Sequence, residues 1–234
     1  MSSLYLVRHG QASFGADDYD VLSPLGAEQA RGLGRYLAER KVRIDAIYSG
    51  PRRRQIETAQ HLAAAAAEAG LALPDLVAIE ELDEFPGIEM VRLWLPRLAT
   101  EDPALAAALA ASDPGAQGRA IEAAFHRVTQ AWARGELDMG ELESFAAFAE
   151  RTTRGLRTIM SAEGRGRRVL VVTSGGPISI AMRLCLGLAE EMTLRLAMVI
   201  ANASTTELRW RDQELTLFSF NHVHYLPPEH VTFR

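Results

Sequence analysis

Leu4-Tyr5-Leu6-Val7-Arg8-His9-Gly10 is a short apolar run that stops at an arginine, a histidine and a glycine. It reads as a buried strand delivering a polar loop. Downstream, Ser23-Pro24 opens a helix, because serine caps free amides and proline suits the first helical position. Leu25, Ala30, Leu33 and Leu37 keep helical spacing to about Arg40. Ala46-Ile47-Tyr48-Ser49 is a second strand, ended by Gly50-Pro51 and followed by a helix from about Arg52 to Ala69. Val77-Ala78-Ile79 is a third strand. Residues 88–163 are almost wholly helical in pattern, with breaks at Asp113-Pro114-Gly115, Arg134-Gly135 and Met139-Gly140. Val169–Thr173 is the cleanest buried strand, and Gly175-Gly176-Pro177 turns it into a helix through Leu186. Ala201–Trp210 and Glu214–Phe220 alternate like two strands joined at Arg211–Gln213.

Strands alternating with helices predict an α/β fold, a three-layer, mainly parallel sheet with helices on both faces. The expected organisation is one domain, 1–234, carrying a helical insertion at about 88–163. In such sheets the ligand crevice lies beyond the carboxyl ends of the strands. Three polar segments fall there: Arg8-His9-Gly10, Ser49–Arg54 and Thr173-Ser174-Gly175.

Composition narrows the function classes. With 48% hydrophobic and 24% charged residues among 234, the chain is an ordinary globular one, neither disordered nor fibrous. One cysteine, Cys185, permits no internal disulfide and no cysteine-rich zinc site, which fits a reducing compartment. The formal net charge of −5 argues against nucleic-acid and anionic-membrane partners. The first residues carry no basic segment before their apolar run, and no stretch approaches about 20 apolar residues. The expected location is cytoplasmic. A single lysine, Lys41, stands among 25 basic residues, so only arginines placed by a motif carry an argument.

At a strand end, His9 can act as nucleophile, base or metal ligand. It has no spaced histidine or cysteine partner, so no metal is expected. Arg52-Arg53-Arg54 begins a helix, where cations oppose the dipole and a bound anion would compensate. Arg52 and Arg53 are expected to fan into solvent, as are Asp17, Asp18 and Asp20 in their loop. Glu80-Glu81-Leu82-Asp83-Glu84 follows the third strand, and a carboxyl group partly desolvated beside phosphate can serve as general acid.

These residues carry a resemblance. Leu6-Val7-Arg8-His9-Gly10-Gln11-Ala12, with Leu22-Ser23-Pro24-Leu25-Gly26-Ala27-Glu28-Gln29-Ala30, resembles the opening of the histidine phosphatase superfamily, the clan of phosphoglycerate mutase-like enzymes and small phosphomonoesterases. Ser49-Gly50-Pro51-Arg52-Arg53-Arg54-Gln55-Ile56-Glu57-Thr58-Ala59 resembles its second signature, with Arg54 four residues before Thr-Ala. Leu82-Asp83-Glu84 is similar to its Leu-x-Glu acid motif. Glu143-Ser144-Phe145 with Arg151, and Asn202-Ala203-Ser204 with Phe220-Asn221 and Leu226, resemble later family segments.

The resemblance implies a phosphoglycerate mutase-like fold and a phosphorylated small-molecule substrate. His9 would be the phosphate acceptor, Arg8 and Arg54 the clamp, and Glu84 the proton donor, with no metal and no organic cofactor. His9 would need its other ring nitrogen held by a backbone carbonyl. In the family, the strand Val169–Thr173 runs into a His-Gly pair whose histidine donates to the transferring phosphoryl group. Here Ser174 stands in that place, with the amides of Gly175 and Gly176 available at the next helix start. His222 or His224 could approach as substitutes.

Three readings follow: a working metal-independent phosphomonoesterase with a modified pocket, at full or reduced turnover, a catalytically impaired phosphate-binding or regulatory relative, and a phosphoglycerate mutase. Gly15, where mutases and their kin carry asparagine, disfavours the last. The insertion is expected to act as a lid. Its stripe of Trp94, Leu98, Phe125, Trp132, Phe145 and Phe148 reads as core before pocket; as a roof it would favour aryl or lipid-like phosphates. The apolar, turn-rich segment Phe218–Phe233 could pack on a partner, such as the second copy of a homodimer, or close the sheet edge.

Overall fold

The computed structural model describes residues 1–13 and 20–233. Gly15, Asp17 and Asp18, named above, lie outside the described residues. The chain forms two compact units, Met1–Glu84 with Ala149–Arg234, and Phe85–Phe148.

The strands are β1 (Ser2–Arg8), β2 (Ala46–Ser49), β3 (Leu76–Ala78), β4 (Arg168–Thr173), β5 (Thr205–Arg211) and β6 (Glu214–His222). The helices are α1 (Pro24–Glu39), α2 (Arg53–Glu68), α3 (Gly87–Glu101), α4 (Pro103–Ala110), α5 (Pro114–Ala133), α6 (Phe145–Glu163), α7 (Gly175–Leu186) and α8 (Glu190–Ala197).

All six strands belong to the first unit and form one sheet in the order β3-β2-β4-β1-β5-β6. β1–β4, β2–β4 and β2–β3 are parallel, while β5 runs antiparallel to both β1 and β6. The sheet is therefore mainly parallel, as expected. Strand alternation sends Leu4, Leu6, Val169 and Val171 to one face, where they pack with Leu156 and Ile159 of α6 and Ile178 and Met182 of α7. Val7, Leu170 and Val172 point the other way, onto Leu33 and Leu37 of α1 and Leu62 of α2. Each such buried aliphatic side chain contributes about 1.5–3 kcal/mol. Two covered faces make three layers.

Local chemistry sets the boundaries. Ser23 Oγ accepts from the Gly26 amide at 3.0 Å, with Pro24 at the first helical position. α7 stops at Gly187, whose φ of 67° is the left-handed conformation glycine tolerates. Two tail expectations are corrected. The strand expected from Ala201 begins at Thr205, because Ala203 adopts a φ of 53° and breaks the extended run. The short helix α8 lies in a stretch for which the sequence predicts no element.

The second unit, 85–148, is narrower than the insertion expected at 88–163, and most of α6 falls in the first unit. Its helices α4 and α5 are capped by Asp102, which accepts from Ala104 and Leu105, and by Asp113, which accepts from Gly115 and Ala116. Trp132 packs on Phe85, Phe145 and Phe148 at centroid distances of 5.2, 5.3 and 5.8 Å. Its Nε1 donates to the Glu143 carbonyl at 2.9 Å. Trp132, Phe145 and Phe148 are buried and form this unit's core.

Candidate active site

His9 is the first residue beyond β1. Its amide donates to the Thr173 carbonyl at 2.8 Å, tying it to the end of β4. Its own carbonyl accepts from the Ala203 amide and from Asn202 Nδ2, both at 3.2 Å. Ala203 itself sits in the left-handed region with a φ of 53°, a local strain of order 1–3 kcal/mol next to this contact. Gly10 follows because its Cβ would fall 2.3 Å from the Gly26 carbonyl oxygen. The Gly10 amide donates to Thr58 Oγ1 at 3.0 Å, and Thr58 Oγ1 donates to the Arg54 carbonyl at 2.7 Å. The loop is therefore fixed to α2.

The imidazole is buried, with only 4% of its surface exposed. Nδ1 lies 2.7 Å from the Gly10 carbonyl oxygen, which can only accept, so Nδ1 carries the hydrogen. Nε2 keeps its lone pair and accepts from Arg54 Nε at 3.1 Å. Burial first, then the positive charges of Arg54 and Arg8, hold His9 well below the usual histidine range, against a smaller opposing effect of the Gly10 bond. The ring is neutral near pH 7, with its free electron pair turned toward a guanidinium.

Arg54 is buried on the first turn of α2, and its Nη1 donates to Asp20 Oδ1 at 2.6 Å. Asp20 Oδ2 also accepts the Arg53 amide at 2.9 Å. Instead of standing in a solvated loop, Asp20 thus caps the helix whose first turn is crowded with cations. Arg52 is half-buried instead of fanning into solvent, whereas Arg53 is exposed, as expected, and pairs along the helix surface. Arg52 Nε donates to Asp83 Oδ1 at 2.5 Å, and Arg53 Nε to Glu57 Oε1 at 2.7 Å. The anions that compensate this helix start are carboxylates of the chain itself.

Arg8 ends β1 opposite Thr173. Its Nη1 donates to the carbonyls of Ile200 and Phe233, so that nitrogen is committed to the C-terminal segment. Glu84 follows a 3₁₀ turn, Glu80–Leu82, which Arg151 Nη1 braces by donating to the carbonyls of Glu80, Glu81 and Asp83. Glu84 Oε2 accepts from the Gly176 amide at 3.2 Å, at the N-terminus of α7. Ser174, fully buried, precedes that helix and accepts from Gln55 Nε2 at 2.7 Å. Gly175 begins α7, where a Cβ would lie 2.9 Å from the Ala197 carbonyl oxygen.

The structure therefore brings His9 to Arg54, and Glu84 to the helix that Ser174 and Gly175 introduce. His222 and His224 do not join them. Their Nδ1 atoms lie 3.0 Å apart, and the His224 ring packs on Tyr36 and Tyr225. Sequence reasoning assigned no role to Asp20's caps, Gln55, Asn202 or the Thr58 bridge. For Gln55, Thr58 and Asn202 a signal was present, since all three belong to the motifs quoted above.

The profile of the Histidine phosphatase superfamily (branch 1) matches residues 4–134 and 112–223. A 2,3-bisphosphoglycerate-dependent phosphoglycerate mutase of Thermobifida fusca is 42% identical over 78 residues, 30% of this chain and 30% of that protein. The chain thus matches less than a third of that relative's length. Among solved structures, a mutant of the phosphoserine phosphatase of Entamoeba histolytica in complex with phosphoserine aligns with a TM-score of 0.65 and 20% identity, covering 97% of this chain and 100% of that one. The phosphoglycerate mutase of Bacillus anthracis aligns with a TM-score of 0.63 and 20% identity, covering 96% and 94%. At such identities the structures speak for the shared fold. Among the described residues no helix is long and apolar enough to cross a membrane.

Proposed function

Since the chain belongs to the histidine phosphatase superfamily, branch 1, we propose that it hydrolyses phosphate monoesters through a phosphohistidine on His9. The observation that carries this reading is the imidazole itself: buried, neutral, its Nδ1–H held by the Gly10 carbonyl and its Nε2 lone pair facing Arg54. That is the tautomer a nucleophile needs, and it requires no base to remove a proton first.

In the first step Nε2 attacks phosphorus in line and the ester P–O bond breaks. Glu84 gives its proton to the departing alkoxide. In the second step water attacks the phosphohistidine, Glu84 as carboxylate takes the water proton, and the P–N bond breaks to release phosphate and neutral His9. Arg54, joined by Arg8, stabilises the charge that spreads over the equatorial oxygens. The Arg54 N–H groups that now face His9 and Asp20 turn to the phosphoryl oxygens when substrate enters. Ser174 and Gly175 complete the phosphate cradle. The chemistry calls for neither metal nor organic cofactor, and the substrate is a phosphorylated small molecule.

A second reading, a phosphate-binding relative of impaired turnover, is favoured by serine at 174. Losing one preorganised donor to a developing anion costs a factor of about 10²–10³ in rate. Hydrolysis of an aryl phosphate by the wild type, His9→Ala and Glu84→Gln, with and without a chelator, separates the two. The wild type should turn over regardless of chelator, His9→Ala should fall to background, and Glu84→Gln should lose about 10²–10⁴-fold. An inert wild type that still binds inorganic phosphate through Arg54 would leave the impaired relative standing.

A further inference from the structure

We propose that Gln55 is a positioning residue: its side-chain amide holds the Ser174 hydroxyl so that the serine hydrogen points at the phosphoryl group transferred to His9. This rests on the phosphatase reading and adds to it a residue that no motif assigns. Ser174 occupies the cap position of α7, with φ −116° and ψ 175°. A serine there normally accepts from the amides two or three residues on. Neither serves here. The Gly176 amide donates to Glu84, and residue 177 is a proline without an N–H. The hydroxyl is thereby released from its own helix.

Gln55 takes it up instead. Gln55 is fully buried, and its Oε1 accepts the Arg52 amide at 3.1 Å, which fixes the amide so that Nε2 faces Ser174. Gly50 makes room for it, since a Cβ at 50 would lie 2.2 Å from Gln55 Oε1. Because the serine oxygen accepts from Gln55, its own hydrogen is directed elsewhere, and the hydroxyl has no other partner among the described residues. Thr173 pairs with Arg8, so Ser174 and His9 are each the first residue beyond neighbouring strand ends. The serine hydrogen is thus available on the same strand-end side as the nucleophile. Glutamine and serine together fill the place that a histidine takes in the family. A larger side chain at 174 would meet the Gln55 amide.

The test is a double-mutant cycle on aryl phosphate hydrolysis, with kcat and KM read separately and thermal unfolding recorded for each variant. Ser174→Ala should lower kcat about 10²–10³-fold. Gln55→Leu, similar in size but without a donor, should lower kcat by about tenfold or more with KM little changed. The double variant should be no slower than Ser174→Ala, because Gln55 acts through the hydroxyl. Gln55→Glu, which accepts where Gln donates, should be at least as slow as Gln55→Leu. Wild-type kcat in folded Gln55→Leu, or losses that multiply in the double variant, would overturn the pairing while leaving the role of His9 intact. Loss of the His9→Ala effect would instead overturn the phosphatase reading beneath it. Should Gln55→Leu not fold, the wild type provides a second readout. On adding orthovanadate, the Gln55 side-chain amide resonance should shift while that of exposed Gln213 stays put. An unmoved Gln55 signal would overturn the proposal.

Discussion

At the scale of single residues, His9 is governed by opposing influences of unequal size. Burial and two guanidinium groups disfavour a positive imidazole, and one carbonyl bond favours it. The balance leaves the ring neutral through the physiological range, so its nucleophilic form needs no activation. Followed by NMR, the His9 ring resonances should not titrate near 6.5 but well below it. Arg54→Met removes a cation 3.1 Å from Nε2 and should raise the midpoint. A His9 midpoint near 6.5 in the wild type, or one lowered further by Arg54→Met, would contradict this electrostatic picture. The residues that lead to this point were legible unequally. His9, Arg54 and Glu84 stand in compact motifs whose resemblance to the histidine phosphatase superfamily singles them out. Asp20, Gln55 and Asn202 are ordinary polar residues until folding brings them to partners 34, 119 and 193 positions away. Gln55 and Asn202 fall inside quoted motifs and Asp20 does not, but nothing local marks what any of them binds, because each partner is reached only by a long-range hydrogen bond.

At the scale of elements, α1 and α2 lie against one face of the sheet, and small residues decide how closely they approach each other. A Cβ at Gly34 would sit 2.2 Å from the Leu62 carbonyl oxygen and 3.1 Å from Ala65 Cβ. Gly34→Ala should therefore destabilise the protein by about 1–3 kcal/mol, read as a lower urea midpoint. Gly118 on α5 has nothing within 4 Å of such a Cβ, so Gly118→Ala should leave stability unchanged or raise it by up to about 1 kcal/mol. Equal effects of the two substitutions would refute the close-contact argument. Elements with local signals were readable in advance: the Ser23-Pro24 start of α1 and the run through α7 follow from capping chemistry and periodicity. The tail was misread where Asn202 ties to Thr232 and Ala203 turns left-handed, contacts that an alternating pattern does not contain.

At the scale of the whole molecule, a buried neutral histidine links stability to pH. Below 6.5 the unfolded chain binds a proton at His9 that the native chain refuses, so stability falls as pH drops from 6.5 toward the depressed native value. Above 6.5 this contribution is constant. Within the window the slope from this one group approaches about 1.4 kcal/mol per pH unit. Urea unfolding from pH 7.5 down to 5 should show a steeper loss for the wild type than for His9→Asn. Parallel profiles would show that His9 is not the linked group.

The central claim is that Nε2 of His9 receives the phosphoryl group, and rapid acid-free quenching during turnover of a phosphate ester tests it most directly. Peptide mapping under alkaline conditions should place one acid-labile phosphoryl group on the peptide carrying His9, absent from His9→Ala and accumulating in Glu84→Gln. Steady turnover with no phosphoryl group on that peptide, or with one on another residue, would contradict the account.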